Sequence, residues 1–130
     1  IRIPDACPYY SVNQGYEDRW DPAVQRAVQA VRQGRSLRYV GSLVSDFHRD
    51  LIRGGVFLYP ADSQNPNGKI RVLYEAAVFA YIAEQAGGAA SIGVGPVLEL
   101  MPGSVHQRTP LFIGNAAAVE QIDDALRAGG

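Results

Sequence analysis

The chain has 130 residues, 47% of apolar types and 19% charged, so it can bury the core of one domain and is too apolar to be disordered. Twelve basic and thirteen acidic residues leave a net charge of −1, which argues against a general nucleic-acid binder and against a polybasic membrane anchor. No apolar run approaches the roughly 20 residues that cross a bilayer. One cysteine, Cys7, favours a reducing compartment, so we expect a cytoplasmic protein.

The first half of the chain alternates between short strands and amphipathic helices. A strand is predicted at 9–12, and Asp21 with Pro22 offers an N-cap and a first helical residue. The helix that follows carries an apolar stripe (Val24, Ala27, Val28 and Val31) and stops near Gly34. A second strand is predicted at 37–40, and Ser42 can cap a second helix with an inner face of Val44, Phe47, His48 and Leu51.

The second half continues the same alternation. A buried strand is predicted at 56–59 and a loop of turn-forming residues at 62–68. The longest helical pattern runs from 70 to 86, with a stripe of Ile70, Leu73, Tyr74, Ala77 and Tyr81. Strands are predicted at 89–92, 97–100 and 111–113, and a last helix carries Val119, Ile122 and Leu126. Together these elements predict a layered α/β/α fold with a mixed sheet of about five strands.

The charges are unevenly placed along the chain. Eleven of the twelve basic residues are arginine, and Lys69 is the single lysine. No acid occurs between Asp21 and Asp46, whereas four arginines fall there (Arg26, Arg32, Arg35 and Arg38). A local positive field of this kind in a neutral protein suggests an anionic small ligand or an acidic partner surface.

The segment 67–75 is the first candidate site. It brings an Asn-Gly turn to the predicted start of a helix, where free N–H groups favour an anion, and Lys69 and Arg71 add positive charge. Arg71 and Glu75 are four residues apart, so they can form a surface ion pair worth about 0.3–0.5 kcal/mol. Alternatively, Glu75 can hold a divalent metal over a phosphate that the two cations bind.

Turns after the predicted strands supply further candidates. Tyr39 lies where a strand turns into a helix, so its hydroxyl can bind phosphate, or its ring can belong to the core. Asn13 and Tyr16 follow the first strand in the same way. Asp46, His48 and Asp50 alternate along the second predicted helix, which places them on different faces and argues against a metal site. The chain has no G-x-S-x-G, P-loop, H-E-x-x-H or paired-cysteine motif.

Six stretches in the same order resemble the C-terminal half of class I fructose-1,6-bisphosphatase. They are YSVNQG at 10–15, LRYVGS at 37–42, GGVFLYPA at 54–61, NPNGKIRVLYE at 65–75, EQAGG at 84–88 and HQR at 106–108. The resemblance covers nearly the whole chain. It implies that residues 1–130 are a single sugar-phosphate-binding domain, the C-terminal half of a longer enzyme whose N-terminal metal- and AMP-binding domain is not in this chain.

The resemblance also implies roles for particular residues. Five of them match family positions that hold the 6-phosphate of the substrate (Asn13, Tyr16, Tyr39, Tyr59 and Lys69). Arg38 matches an arginine that reaches the same phosphate in a neighbouring subunit, within a homo-oligomer that is a tetramer in the family. Gly41 and Leu43 match positions along the sugar, and Arg71 one near the 1-phosphate. Glu75 matches a Mg²⁺ ligand, with most ligands of that ion, or of another divalent cation, outside this chain.

The implied reaction is hydrolysis of fructose 1,6-bisphosphate to fructose 6-phosphate and phosphate. One carboxylate cannot hold a centre of two or three metals, so we expect the isolated chain to be inactive. Two alternatives stay open: an enzyme that acts on sedoheptulose bisphosphate, and a non-catalytic domain for sugar-phosphate binding or oligomerisation.

Overall fold

The computed structural model describes residues 1–93, 95–100 and 107–128, with the side chains of residues 73 and 74 outside that description. The described strands are β1 (Tyr9–Ser11), β2 (Ser36–Leu37), β3 (Gly55–Tyr59), β4 (Ile70–Arg71), β5 (Ala89–Ser91), β6 (Arg108–Thr109) and β7 (Leu111–Gly114). The described α-helices are α1 (Pro22–Arg32), α2 (Leu43–Arg53), α3 (Ala77–Gln85) and α4 (Ala116–Ala128). The predicted helical stripe includes Leu73 and Tyr74, and the burial of these two side chains therefore lies outside the described residues.

Five strands form a mixed sheet in the order β2-β1-β3-β7-β5. β1 pairs in parallel with β2 and β3, and β7 runs antiparallel to both β3 and β5. β4 and β6 form a separate antiparallel pair that joins Ile70 with Thr109 and Arg71 with Arg108. The mixed five-stranded sheet confirms the fold predicted from the sequence.

Helices cover both faces of this sheet. Successive strand residues face opposite sides, so Val56 and Leu58 of β3 join a core with α1 and α4, whereas Phe57 joins a core with α2 and α3. α1 begins where predicted, because the Asp21 carboxylate accepts a hydrogen bond from the Val24 N–H at 2.9 Å. α2 begins in the same way at Ser42.

Several predicted elements are shortened or replaced in the structure. The helix predicted from 70 starts only after Ile70 and Arg71 have paired with β6, through a π-helical turn at Val72–Ala76. The strand predicted at 97–100 is a 3₁₀ turn, Val97–Glu99, which follows Pro96, a residue that has no N–H to donate to a ladder. The second predicted strand ends at Leu37, and a 3₁₀ helix, Gln14–Arg19, occupies the turn after β1.

The predicted inner face of α2 is wrong at two of its four positions. Phe47 is buried and Leu51 partly buried, but Val44 is 64% exposed and His48 is exposed. The helix instead turns Asp46 and Asp50 inward, and both are fully buried on one shared face, so the expectation that these two acids lie on different faces is wrong. The reason is that the backbone N–H groups of Val40 and Gly41 donate hydrogen bonds to the carboxylate of Asp46. A prediction that places only apolar residues on the buried face of a helix does not anticipate such hydrogen bonds.

The stripe predicted for the helix at 70–86 is correct at Ile70, which is buried, and wrong at Tyr81. Tyr81 is 60% exposed, and the residues that pack toward the sheet are small ones: Ala76, Ala80 and Ala83. Alanines at this spacing let the helix approach the sheet closely, so they replace the bulkier stripe that hydrophobicity alone favoured.

Candidate phosphate-binding pocket

Four of the predicted site residues lie at the ends of three parallel strands. Asn13 and Tyr16 follow β1, Tyr39 follows β2, and Tyr59 is the last residue of β3. Because parallel strands end at one edge of a sheet, their side chains converge there. Lys69 joins them from the residue before β4, and one pocket is lined by all five together with Val12, Trp20, Leu58, Pro60 and Asp62.

The ammonium group of Lys69 lies among the tyrosine rings. Its Nζ is 4.5 Å from the ring centroid of Tyr16 and 5.8 Å from that of Tyr59. The guanidinium of Arg19 lies 4.5 Å from the same Tyr16 ring. These distances allow cation–π attraction. The ammonium group of Lys69 therefore lies at the pocket together with the phenol groups of Tyr16, Tyr39 and Tyr59.

Two phenol groups of the pocket, those of Tyr39 and Tyr59, have raised pKa values and stay protonated at neutral pH. Burial raises the pKa of Tyr39, and the nearby Asp46 and Tyr16 raise it further, against a small lowering by a hydrogen bond with Asn13. Burial likewise raises the pKa of Tyr59, with smaller contributions from Tyr39 and Tyr16. Each O–H is therefore available as a hydrogen-bond donor to an anion.

Two features of the backbone deliver Lys69 to this place. Gly68 has φ +82°, and a Cβ there would lie 2.2 Å from the carbonyl carbon of Thr109, so only glycine lets the chain cross β6 so closely. The Arg108 side chain donates to the carbonyl of Lys69 at 2.6 Å. The loop before it is closed by Asp62, whose carboxylate accepts hydrogen bonds from the N–H groups of Gln64 and Asn65.

The hydrogen-bond donors of the pocket are of kinds that suit an anion. It presents phenol hydroxyls, an amide and an ammonium group, which are the donors that phosphate oxygens accept from. The cavity of the pocket is small, about 20 Å³, which is close to the space that one water needs. The acid that lines it, Asp62, is engaged by the turn that it closes, and those hydrogen bonds lower its pKa although burial opposes them.

The family of this chain follows from its match to known proteins. The family described as "Fructose-1-6-bisphosphatase, C-terminal domain" matches residues 3–127. This chain belongs to that family. The class 1 fructose-1,6-bisphosphatase of Synechococcus sp. (strain JA-3-3Ab) is 48% identical over 124 residues, which are 94% of this chain and 37% of that protein. The cytosolic fructose-1,6-bisphosphatase of Brassica napus is 46% identical over 128 residues, covering 94% and 38%.

A solved structure supports the same fold. The fructose-1,6-bisphosphatase of Leishmania major, in apo form, matches with a TM-score of 0.91 and 41% identity, over 98% of this chain and 42% of that one. The family resemblance seen in the sequence is thus confirmed. The chain spans 37–38% of the length of these curated relatives, well under half of each. Among the described residues, no helix combines the length and apolarity that a membrane span requires.

Other residues that the bisphosphatase resemblance singled out lie outside this pocket. Arg38 is exposed, with its guanidinium 5.2 Å from the ring centroid of Tyr9. Gly41 is exposed in the turn before α2, with φ +93°, and Leu43 packs partly buried against the core of α2 and α3. The HQR stretch begins at residue 106, which lies outside the described residues.

Arg71 and Glu75 form a second small cluster at the end of β4. The Glu75 carboxylate accepts a hydrogen bond from the backbone N–H of Arg71 at 3.2 Å and lies 3.5 Å from its Nε. Both side chains are more than a third exposed, so the ion pair itself contributes little to stability.

The described residues do not by themselves form a site for a divalent metal. Mg²⁺ takes six oxygen ligands in near-octahedral geometry. Within the described part of the chain, no group of three or more His, Cys, Asp or Glu residues could hold a metal ion. Glu75 offers a single carboxylate, and Arg71 already pairs with it.

Sequence reasoning did not single out the other five lining residues of the pocket, among them Trp20 and Asp62. Trp20, buried at 5% exposure, forms part of its wall, and Asp62 closes the loop that leads to Lys69. Asp62 was recognisable only as a turn former, because an Asp that accepts from the amides two and three residues ahead is common in loops. No local pattern marked Trp20 as a pocket residue.

Proposed function

We propose that this chain is the sugar-phosphate-binding part of a fructose-1,6-bisphosphatase, which hydrolyses fructose 1,6-bisphosphate to fructose 6-phosphate and phosphate. The observation that carries the proposal is the convergence of Asn13, Tyr16, Tyr39 and Tyr59 around Lys69. This set holds the 6-phosphate, which is kept in both substrate and product. The domain is a single unit of residues 1–130 within a longer enzyme.

The binding step follows from the donors at the pocket. A phosphate monoester carries up to two negative charges, and the ammonium of Lys69 pairs with them beside the phenol groups of the pocket. The hydroxyl groups of Tyr39 and Tyr59 donate hydrogen bonds to the phosphate oxygens, since both pKa values are raised and both groups remain neutral. The bound 6-phosphate thereby anchors the sugar, and the 1-phosphate at its other end points toward Arg71 and Glu75.

The hydrolytic step is assigned to the whole enzyme and not to this chain alone. We infer that Arg71 faces the 1-phosphate and that Gly41 and Leu43 lie along the sugar. Glu75 supplies one ligand to Mg²⁺ or another divalent cation, with the remaining ligands outside this chain. The homo-oligomer, a tetramer by family resemblance, and a cytoplasmic location belong to the same proposal, the latter supported by the cytosolic relative in Brassica napus.

The experiment that tests the binding role is calorimetry with fructose 6-phosphate on the 130-residue chain. Lys69→Met keeps the apolar stem and removes the charge, so affinity should fall about 10- to 100-fold, the value of one hydrogen bond to a charged group. Arg26→Met removes an exposed cation on α1, outside the pocket, and should leave the affinity unchanged. Equal affinities of Lys69→Met and the wild type would exclude Lys69 from the site.

Two other functions remain as alternatives and the same calorimetry separates them. A sedoheptulose-bisphosphatase-like protein should bind sedoheptulose 7-phosphate at least tenfold more tightly than fructose 6-phosphate. A domain that serves only oligomerisation should bind neither sugar phosphate.

A further inference from the structure

The segment that carries Tyr39 to the pocket has little of the fold to rest on. All five residues from Arg38 to Ser42 are exposed, and β2 ends before them at Leu37. Its link to the sheet is the Arg38 N–H, which donates to the carbonyl of Tyr10 at 2.9 Å. An exposed segment of this kind ordinarily samples many conformations, so something must hold the Tyr39 backbone in place.

A buried carboxylate of α2 provides that support from below. Asp46 is fully buried, and its two oxygens accept hydrogen bonds from the Val40 N–H at 3.0 and 3.3 Å. One of them also accepts from the Gly41 N–H at 3.2 Å. The two peptide groups directly after Tyr39 are thus fixed by one side chain, and Gly41, with φ +93°, permits the turn that presents them.

An arginine one helical turn later completes the arrangement. The Nη1 of Arg49 lies 3.0 Å from the Oδ1 of Asp46 in an ion pair. The Nη2 of Arg49 donates a hydrogen bond to the carbonyl of Arg38 at 2.9 Å. The same nitrogen donates to the Ser11 hydroxyl at 2.6 Å. Ser11 ends β1, two residues before Asn13, so Arg49 joins the strand that leads to Asn13 with the segment that carries Tyr39.

We propose that Asp46 and Arg49 form a positioning pair that sets the affinity of the pocket for the sugar 6-phosphate. This inference rests on the proposed function. Neither residue lines the pocket, so the pair acts through the Tyr39 hydroxyl and through the alignment of Asn13 with it. The entropic cost of ordering the segment that carries Tyr39 falls in the folding step, so the ligand binds to hydrogen-bond donors that are already in place.

The test measures fructose 6-phosphate binding to the 130-residue chain by calorimetry, at a temperature where every variant is fully folded by circular dichroism. Asp46→Asn keeps the shape of the side chain but loses the charge and one acceptor, so Kd should rise about tenfold. Asp123→Asn is the matched control, because Asp123 accepts from Ser91 at 2.6 Å on the opposite edge of the sheet. Its Kd should equal that of the wild type, although its melting temperature falls.

A double-mutant cycle separates positioning from mere stabilisation of the fold. In a Tyr39→Phe background, which has no hydroxyl to position, Asp46→Asn should raise Kd less than twofold further. Amide exchange of Val40 and Gly41 should accelerate in Asp46→Asn. If that variant does not fold, Arg49→Lys takes its place, since a lysine keeps the ion pair but lacks the fork that reaches Arg38 and Ser11.

The outcomes are distinguishable. An unchanged Kd in a folded Asp46→Asn or Arg49→Lys variant overturns the positioning pair, as does an equal rise of Kd with and without the Tyr39 hydroxyl. A wild-type chain that binds no fructose 6-phosphate overturns the proposed function, and the positioning pair falls with it.

Discussion

Asp50 is a buried carboxylate whose hydrogen-bonding capacity is unmet. It is fully buried on α2, and neither carboxylate oxygen has a hydrogen-bond partner within the described part of the chain. The nearest cation is the Nε of Arg49, at 3.7 Å, which is beyond hydrogen-bonding distance. Burial raises the pKa of Asp50 from 3.8 to about 7, with Arg49 lowering it and Asp46 raising it further.

This pKa predicts that the protein loses stability as pH rises. Between pH 4 and pH 7 the folded chain keeps the Asp50 proton while the unfolded chain releases it, so the unfolded state is favoured progressively. The shift is about 3 pH units, equivalent to about 4 kcal/mol at pH 8. That is a large part of the 5–15 kcal/mol that typically separates folded from unfolded domains.

Asp50→Asn removes the titrating proton and keeps the shape of the side chain. Urea unfolding at pH 5 and pH 8 should give a free energy that falls by up to about 4 kcal/mol more in the wild type than in the variant. Asp18→Asn, at an exposed position, should follow the wild type. The other titratable and charged groups that face Asp50 (Arg49, Asp46 and the Cys7 thiol, which is neutral because burial raises its pKa) are the same in all three chains. Parallel losses in wild type and Asp50→Asn would refute the reasoning.

Two further predictions concern the whole site. The purified 130-residue chain should release negligible phosphate from fructose 1,6-bisphosphate in Mg²⁺, because Glu75 alone cannot hold the metal; Mg²⁺-dependent release in a molybdate assay would contradict this. If Arg38 serves the pocket of a neighbouring copy, fructose 6-phosphate affinity should increase with chain concentration in the wild type. Arg38→Ala should abolish that increase, and a dependence that survives the substitution would rule out this role.

Local patterns were sufficient wherever the partner of a residue lies nearby in sequence. The cap at Asp21 and the stripe after it predicted α1, and all four residues of that stripe are buried: Val24, Ala27, Val28 and Val31. The apolar run at 56–59 predicted β3 in the same way. In such elements hydrophobic periodicity and the capping chemistry favour the same structure, and nothing distant competes with them.

Local patterns alone predicted the candidate pocket only in outline, and it was the family resemblance that grouped its five candidate residues at one phosphate. The strand-helix turns indicated Asn13, Tyr16 and Tyr39, and the turn before Lys69 indicated an anion, but their meeting depends on the order of the strands. Lys69 reaches the tyrosines because β4 pairs with β6, a strand 38 residues farther along the chain. Periodicity in the intervening sequence carries no information about that pairing, so the same segment was predicted to be helical.

The buried face of α2 was predicted wrongly because this helix turns two acidic residues inward. Residues four apart share a helix face, so turning Asp46 inward to hold Val40 and Gly41 also turns Asp50 inward. Asp46 meets peptide donors and the guanidinium of Arg49, whereas Asp50 faces Gly55, where even a Cβ would lie 2.2 Å from its Oδ1. One helix rotation therefore places one carboxylate among donors and buries the other without them. A prediction that places every acidic residue at the surface is wrong for both carboxylates. The face that α2 buries is determined by the segment that contains Val40 and Gly41, and not by the sequence of the helix itself.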